Sequence, residues 1–291
     1  MKLINATVLS NVEIVPNIFC MEISTPAITV HAGQFLMIYL DSGELLLPRP
    51  ISICDASKYT LTLVYQVVGQ GTKLMAEMTE GQEVRLIAPL GKGFFTAPAN
   101  VVAGVSPRPT TAMDMSKMSM AAEPTIGADG VRLQIHPARS SLKHVALVGG
   151  GIGTPPLLLL AKTLKAQSSK VDVYLGFRTS PILINEFKNI ADSVFIATDD
   201  GSAGHHGNII EVLKNSTATY SEFLACGPRL MLDALSSYAI SKNIPCQLSM
   251  EERMACGLGT CVGCVLKVNG THLRICTEGP VFYADEVTKH E

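Results

Sequence analysis

Over roughly the first 97 residues, apolar positions come in short runs with a period near two, broken by Gly, Pro, Asn and Asp. The runs are ATVLSNVEIV, FCMEIST, GQFLMIYL, YTLTLVYQVV and EVRLIAPLG. Short strands with turn signals at regular spacing predict an antiparallel barrel or sandwich. From about 143 to 247 the pattern changes. HVALVGGGIG is an apolar strand running into glycines, and TPPLLLLAKTLKAQ reads as a helix with prolines in its first turn. KVDVYLGFR, SVFIATDDG and SEFLACGP read as further strands, with helical stretches such as LMLDALSSYAISKN between them. Such alternation predicts a doubly wound parallel sheet. Residues 98–142 have no sustained period, are rich in Pro, Ala, Ser and Met, and exceed the usual connection length. They read as an insertion or linker. The spacing of Met113, Met115, Met118 and Met120 specifies neither a soft metal site nor a contact surface. Four regions result: a β-barrel (1–97), the insertion (98–142), an α/β domain (143–247) and a small C-terminal module (248–291).

Composition narrows the class. The chain has 291 residues, 47% of them hydrophobic, enough for more than one core. A formal net charge of −2 gives no electrostatic reason to expect nucleic acid. The opening MKLINATVLSNVEIVPN lacks the continuous apolar segment of a signal peptide, since Glu13 interrupts it. The longest uncharged stretch, Val145 to Ala161, contains four glycines and two adjacent prolines, which suits a nucleotide-binding turn better than a membrane helix. A cytoplasmic protein without membrane contact is expected, with its thiols reduced and disulfides disfavoured.

Four of the eight cysteines lie in MACGLGTCVGCVLKVNGTHLRIC, at Cys256, Cys261, Cys264 and Cys276. The spacing C-x4-C-x2-C with a distant fourth cysteine matches the plant-type [2Fe–2S] pattern. Gly257, Gly259 and Gly263 permit the sharp bends that a loop presenting three sulfurs needs. Structural zinc is the other metal reading, although zinc loops usually pair two C-x2-C knuckles and here one pair is four apart. Buried free thiols would not call for interleaved glycine. Cys20, Cys54 and Cys246 read as ordinary packing residues.

GGGIGTPP follows a strand and opens a helix, placing Gly151, Gly153 and Thr154 where a pyrophosphate approaches a helix N-terminus. The dinucleotide fingerprint G-x-G-x-x-G is not met. In RPIS, Arg49 suits a phosphate or carboxylate and Ser52 a hydrogen bond to a ring or phosphate; GQGT, Gly69 to Thr72, reads as a phosphate nest or a plain turn. Cys226 in ACGP falls at the carboxyl end of a strand, where ligands bind in such sheets, and reads equally as a catalytic thiol near a nicotinamide or as a buried one.

Taken in order, GQF, RPISICD, VYQVVGQGT, PLGKGF, LVGGGIGTPPLLLLAKTL, TDDGSAGHHG, ACGPRLML, the cysteine loop and CTEGPVF resemble the ferredoxin–NADP reductase superfamily. Within it the chain resembles the electron-transfer subunits of class 1B dihydroorotate dehydrogenase. The resemblance implies an FAD-binding antiparallel barrel, an NAD-binding α/β domain and a C-terminal [2Fe–2S] module. It implies that Arg49, Pro50, Ile51, Ser52, Val64, Tyr65, Gln66, Gly71 and Thr72 contact FAD. It also implies that Cys256, Cys261, Cys264 and Cys276 ligate the cluster and that NAD(H) is the co-substrate. The implied partner is an FMN-containing dihydroorotate dehydrogenase catalytic subunit, in a heterotetramer of two plus two. Electrons from dihydroorotate would pass through the cluster and FAD to NAD+, in de novo pyrimidine (UMP) biosynthesis. The alternative is the flavin/iron–sulfur subunit of another NAD(P)H reductase, such as an NADPH:ferredoxin transhydrogenase or a sulfide dehydrogenase. Arg178, Thr179 and Ser180 keep NADP(H) open. Two departures stand out: Gln66 where the family often has arginine, and the insertion between the first two domains.

Overall fold

The structure, a computed structural model, describes residues 1–40, 46–96 and 144–287. The expected insertion, 98–142, with its methionines, lies outside the described residues. Six strands close the N-terminal barrel: β1 (Lys2–Val15), β2 (Ile18–Ser24), β3 (Phe35–Tyr39), β4 (Arg49–Ala56), β5 (Thr60–Gln66) and β6 (Glu83–Leu90). Their order is β1-β2-β5-β4-β3-β6, every pairing antiparallel. The period of two becomes inward and outward faces. Ile4, Ala6 and Val8 of β1, Leu61, Leu63 and Tyr65 of β5, and Val84, Leu86 and Ala88 of β6 fill the interior. A short helix, α1 (Gln70–Ala76), lies between β5 and β6. The expectation of a nest or turn at GQGT did not extend to a helix there.

The second core is a seven-stranded sheet. Its chain-order elements are β7 (His144–Gly150), α2 (Pro156–Ala166), β8 (Lys170–Phe177), α3 (Ile184–Lys188), β9 (Ser193–Thr198), β10 (His205–His206), α4 (Ile209–Lys214), β11 (Glu222–Cys226), α5 (Arg229–Ser241) and β12 (Cys246–Ser249). The sheet order is β10-β9-β8-β7-β11-β12-β15, where β15 is Val281–Tyr283. All pairs are parallel except β12 with β15. Both faces are covered, so β7 is apolar from Val145 onward instead of alternating. Val145 and Leu147 pack with α2, while Ala146 and Val148 pack with α4 and α5. The anticipated boundary at 247/248 falls inside β12, and β15 of the C-terminal region completes the sheet. A two-stranded hairpin, β13 (Val265–Val268) and β14 (Thr271–Arg274), follows the cysteine loop.

The barrel rests on α2. Cys54 and Val64 join the apolar cluster of α2, and Lys162 pairs with Asp55. The chain leaving the barrel is held by the Gln247 side chain, whose Oε1 accepts from Phe95 N at 2.8 Å and whose Nε2 donates to Phe95 O at 2.9 Å. The Phe95 ring stacks on Tyr283, centroids 5.8 Å apart.

Candidate functional site

Strand alternation sorts the barrel residues expected at a flavin. Pro50 and Ser52 share the more open face of β4, while Ile51 points into the barrel core. Arg49 reaches across α1 so closely that a Cβ on Gly71 would sit 2.0 Å from its Nε, which only glycine permits. Its Nη1 donates to the Leu47 carbonyl at 2.7 Å. The Thr72 hydroxyl folds the turn before α1: it accepts from Val68 N at 2.9 Å and Gly69 N at 3.1 Å and donates to Gly69 O at 3.0 Å. On β5, Val64 faces α2 and Gln66 is exposed. Tyr65 is 2% exposed, its hydroxyl donating to Asn11 Oδ1 at 3.0 Å. The Asn11 amide in turn donates to Met75 O at 2.8 Å and Met78 O at 3.0 Å, beside the end of α1. The side chains of Ile51 and Tyr65 thus serve the barrel core. Asn11 is a support the sequence reading missed.

The glycine turn at the carboxyl end of β7 abuts β5. Gly151 has φ +51 and open space where a Cβ would lie, whereas a Cβ on Gly153 would meet Gly227 Cα at 2.5 Å. Gly153 is therefore a packing glycine and Gly151 the one facing open space. Thr154 is fully buried and its hydroxyl makes no hydrogen bond among the described residues. Cys226 pairs in register with Gly149 and is 2% exposed. Burial, then the charge of Glu251, pushes its thiol up to about 12, so near neutral pH it is an uncharged S–H.

The four loop cysteines converge as two pairs. Cys261 Sγ lies 3.2 Å from Cys256 Sγ, and Cys264 is the neighbouring thiol that acts most strongly on Cys276. Two pairs are what two irons need, each with two thiolates besides its bridging sulfides. The chemistry of the donor set therefore fits a binuclear cluster. Burial opposes ionisation of Cys256, but the Thr260 hydroxyl and the N–H groups of Cys261 and Leu258, both 3.4 Å from its sulfur, bring it down to about 6. Burial, then the bond to Cys264, pushes Cys276 up to about 12. Of the three glycines expected to permit the loop's bends, Gly257 and Gly259 lie in the left-handed region, φ +67 and +79, and Gly263 does not. Cys54 and Cys246 are buried with thiols pushed upward, burial being the larger cause, as packing residues should be. Cys20 is partly buried against the α2 cluster.

The loop is seated on the barrel. A Cβ on Gly257 would lie 2.6 Å from Met37 Cγ, and fully buried Met37 stands opposite Pro50 in the β3–β4 register. The first cysteine turn and the RPIS strand are thus one side chain apart. At the other end of the loop Val262, between two cysteines, is 79% exposed.

A barrel joined to a parallel nucleotide-type sheet, with a four-thiol loop seated on the barrel, defines a ferredoxin–NADP reductase-like fold carrying an iron–sulfur module. The fold agrees with solved structures. An NADH-dependent reduced ferredoxin-NADP oxidoreductase, described for flavin-based electron bifurcation, superposes with a TM-score of 0.77 at 24% identity, covering 97% of this chain and 89% of that one. A ferredoxin NADP+ reductase from Neisseria gonorrhoeae with bound FAD and NADP does so at 0.58 and 16%, covering 83% and 92%. Residues 251–288 match the family described as the iron-sulfur cluster binding domain of dihydroorotate dehydrogenase B. The curated "Dihydroorotate dehydrogenase B (NAD(+)), electron transfer subunit" of Caldanaerobacter subterraneus subsp. tengcongensis is 34% identical, over 97% of each chain. Its Clostridium perfringens counterpart is 33% identical over 99% of this chain and 98% of that one. The chain belongs to this family of electron transfer subunits.

Proposed function

We propose that this chain is the electron-transfer subunit of an NAD-dependent dihydroorotate dehydrogenase. It holds FAD on the barrel, NAD(H) at the glycine turn and a [2Fe–2S] cluster on Cys256, Cys261, Cys264 and Cys276. The observation that carries the reading is the two-pair thiol arrangement, inside the region that matches the cluster-binding family and pressed against the strand facing RPIS. FAD, when bound, exchanges two electrons with nicotinamide as a hydride and passes single electrons to and from the cluster.

The chain's own residues supply positioning. Arg49, fixed over Gly71, offers a permanent positive charge to a pyrophosphate. Thr72 and Asn11 hold α1 and the turn before it. Pro50, Ser52 and Gln66, with the backbone of Ile51, Val64 and Tyr65, offer the remaining flavin contacts. Gly151 leaves room for a second pyrophosphate, Gly153 lets the turn pack on Gly227, and Thr154 brings an unpartnered hydroxyl. Cys226, as a neutral thiol, shapes the nicotinamide end without acting as a nucleophile. Val262 and its glycine neighbours form an uncharged rim beside the thiols, the kind of surface a lasting interface uses.

The partner is a catalytic subunit, and we propose that it is FMN-containing and that two copies of each assemble. No helix among the described residues is long and apolar enough to cross a membrane. A reducing compartment keeps ligand thiols available, so the cytoplasm is the proposed location. The test is purification with and without the cognate catalytic subunit. The isolated chain should reduce artificial acceptors from NADH and show flavin plus iron–sulfur absorbance, yet leave dihydroorotate unoxidised. Dihydroorotate-dependent NAD+ reduction should appear on mixing. Dihydroorotate oxidation by the chain alone, or neither complex nor activity on mixing, overturns the reading.

A further inference from the structure

Beside the thiol loop stands a cation with no part in the reading so far. Arg274 ends β14, two residues before Cys276. Its Nε and Nη2 edge is taken by Glu278: Nε donates to Oε2 at 3.2 Å and Nη2 to Oε1 at 2.9 Å. The Arg274 backbone N–H donates to the same carboxylate at 2.7 Å, and the Thr277 hydroxyl donates to it at 2.9 Å. The opposite edge of the guanidinium faces the loop, where Nη1 donates to the Gly259 carbonyl at 2.8 Å. Gly259 is the bend between Cys256 and Cys261. A Cβ on it would strike Thr277 Cγ2 at 2.6 Å. The loop bearing three cysteines and the segment bearing the fourth are therefore tied together at Gly259, by Arg274 on its carbonyl and Thr277 packed against its Cα.

The charge is arranged with a direction. Glu278 lies on the side of the guanidinium away from Gly259, so the positive end of the pair faces the cysteine loop at the Gly259 carbonyl. Reducing a [2Fe–2S] cluster adds one negative charge, which a fixed nearby cation favours. The side chain is 41% exposed, so the effect is that of a partly solvated charge.

We propose that Arg274, oriented by Glu278, is a positioning residue for the cluster: it holds Gly259 in the ligand-presenting bend and raises the cluster's reduction potential. The inference rests on the cluster-ligand reading above. A lysine there keeps a charge but loses the planar fork, so it retains potential better than geometry.

The test compares Arg274→Gln, Arg274→Lys and Glu278→Gln in the full chain. Iron, labile sulfide and flavin are quantified, and the midpoint is measured by potentiometric titration followed by electron paramagnetic resonance. Arg274→Gln should make the cluster about tenfold harder to reduce, about 59 mV lower for one electron, with flavin content and NADH-to-dye activity unchanged. Arg274→Lys should fall between it and the parent. Glu278→Gln, which removes the opposing charge and loosens the carboxylate's hold on Arg274 but keeps the cation, should keep its midpoint above that of Arg274→Gln. A merely loosened loop would lower the midpoint in both variants alike. If Arg274→Gln loads less iron, the holding role is supported, and an Arg274→Lys midpoint above that of Arg274→Gln supports the electrostatic one, whereas equal midpoints in the two overturn it. Parent-like iron content and midpoints in all three variants overturn the proposal while leaving the cluster reading intact. A parent chain without iron, labile sulfide or resonance signal overturns both.

Discussion

Replacing Gly257 with alanine probes the contact that joins the cysteine loop to the barrel. Two costs are readable from the structure. Gly257 sits at φ +67, where an L-residue costs about 1–2 kcal/mol. Its new methyl would lie 2.6 Å from Met37 Cγ and 2.7 Å from Sδ, and Met37 is fully buried, so the core must shift at about 1–3 kcal/mol. The sum is about 2–5 kcal/mol. Gly270→Ala is a matched control: φ is +75 but nothing lies within 4 Å of the new Cβ, so only the backbone cost of about 1–2 kcal/mol applies. Both variants would be assayed for iron and labile sulfide per chain, for flavin, and for cluster reduction by NADH in a stopped-flow spectrometer. Gly257→Ala should lose cluster or slow its reduction, while Gly270→Ala stays near the parent. Adding Met37→Ala opens space for the methyl, so the double variant should recover part of the loss, with a coupling of about 0.5–3 kcal/mol in a stability cycle. Equal behaviour of the two glycine variants, or no coupling with Met37, would refute the claim that this contact seats the loop.

Serine at any of Cys256, Cys261, Cys264 or Cys276 should remove iron while most flavin stays bound; unchanged iron across all four would end the ligand assignment. Gly71→Ala, which puts a methyl 2.0 Å from Arg49 Nε, should displace the guanidinium and weaken FAD binding by about ten- to a hundredfold, the loss of about 1.5–3 kcal/mol for a charged hydrogen bond, read by flavin retention on dilution. Gly153→Ala collides with the Gly227 backbone, so NADH-to-dye kcat/KM should fall while flavin and iron are retained. Cys226, raised from 9.0 to about 12, should resist iodoacetamide near pH 8 in the folded chain and react after unfolding, as mass spectrometry would show. Because that pKa is raised, folding keeps the thiol's full contribution below pH 9.0 and loses it as pH climbs toward about 12.

The parts legible in the sequence were those with a local physical signature. Alternation in EVRLIAPLG is visible because one face of β6 is packed and the other is not. The apolar run HVALVGG announces a strand covered on both sides. The cysteine spacing carries its chemistry in the backbone it needs. What was missed depends on distance along the chain. Ile51 and Tyr65 lie in motifs associated with flavin, yet strand alternation turns their side chains inward, and nothing near Tyr65 in sequence points to Asn11, 54 residues away. Gln247 could not be tied to Phe95 across 152 residues. One miss had a local signal. Asn269-Gly270, at φ +49 and +75, is the dipeptide of a tight hairpin turn, and reading it would have placed β13, β14 and Arg274 beside the thiols.

The loop from Cys256 to Cys264 faces two demands at once. At Gly257 it is pressed into the barrel, where any added atom meets Met37; at Val262 it is open to solvent. A relay between a flavin inside the chain and a redox centre outside it needs both, since electrons must enter from one side of the cluster and leave by the other. Apolar burial can fix the inner side, because Met37 packs with Phe35, Leu90, Ile275 and Cys276 in one core. It does not cover the outer side, where Val262 is 79% exposed. Polar groups hold the bend between them: Arg274 on the Gly259 carbonyl, with Glu278 on Arg274 and Thr277 on Glu278. The glycines of such a loop serve close approach, Gly257 to Met37 and Gly259 to Thr277, as much as they serve the turn.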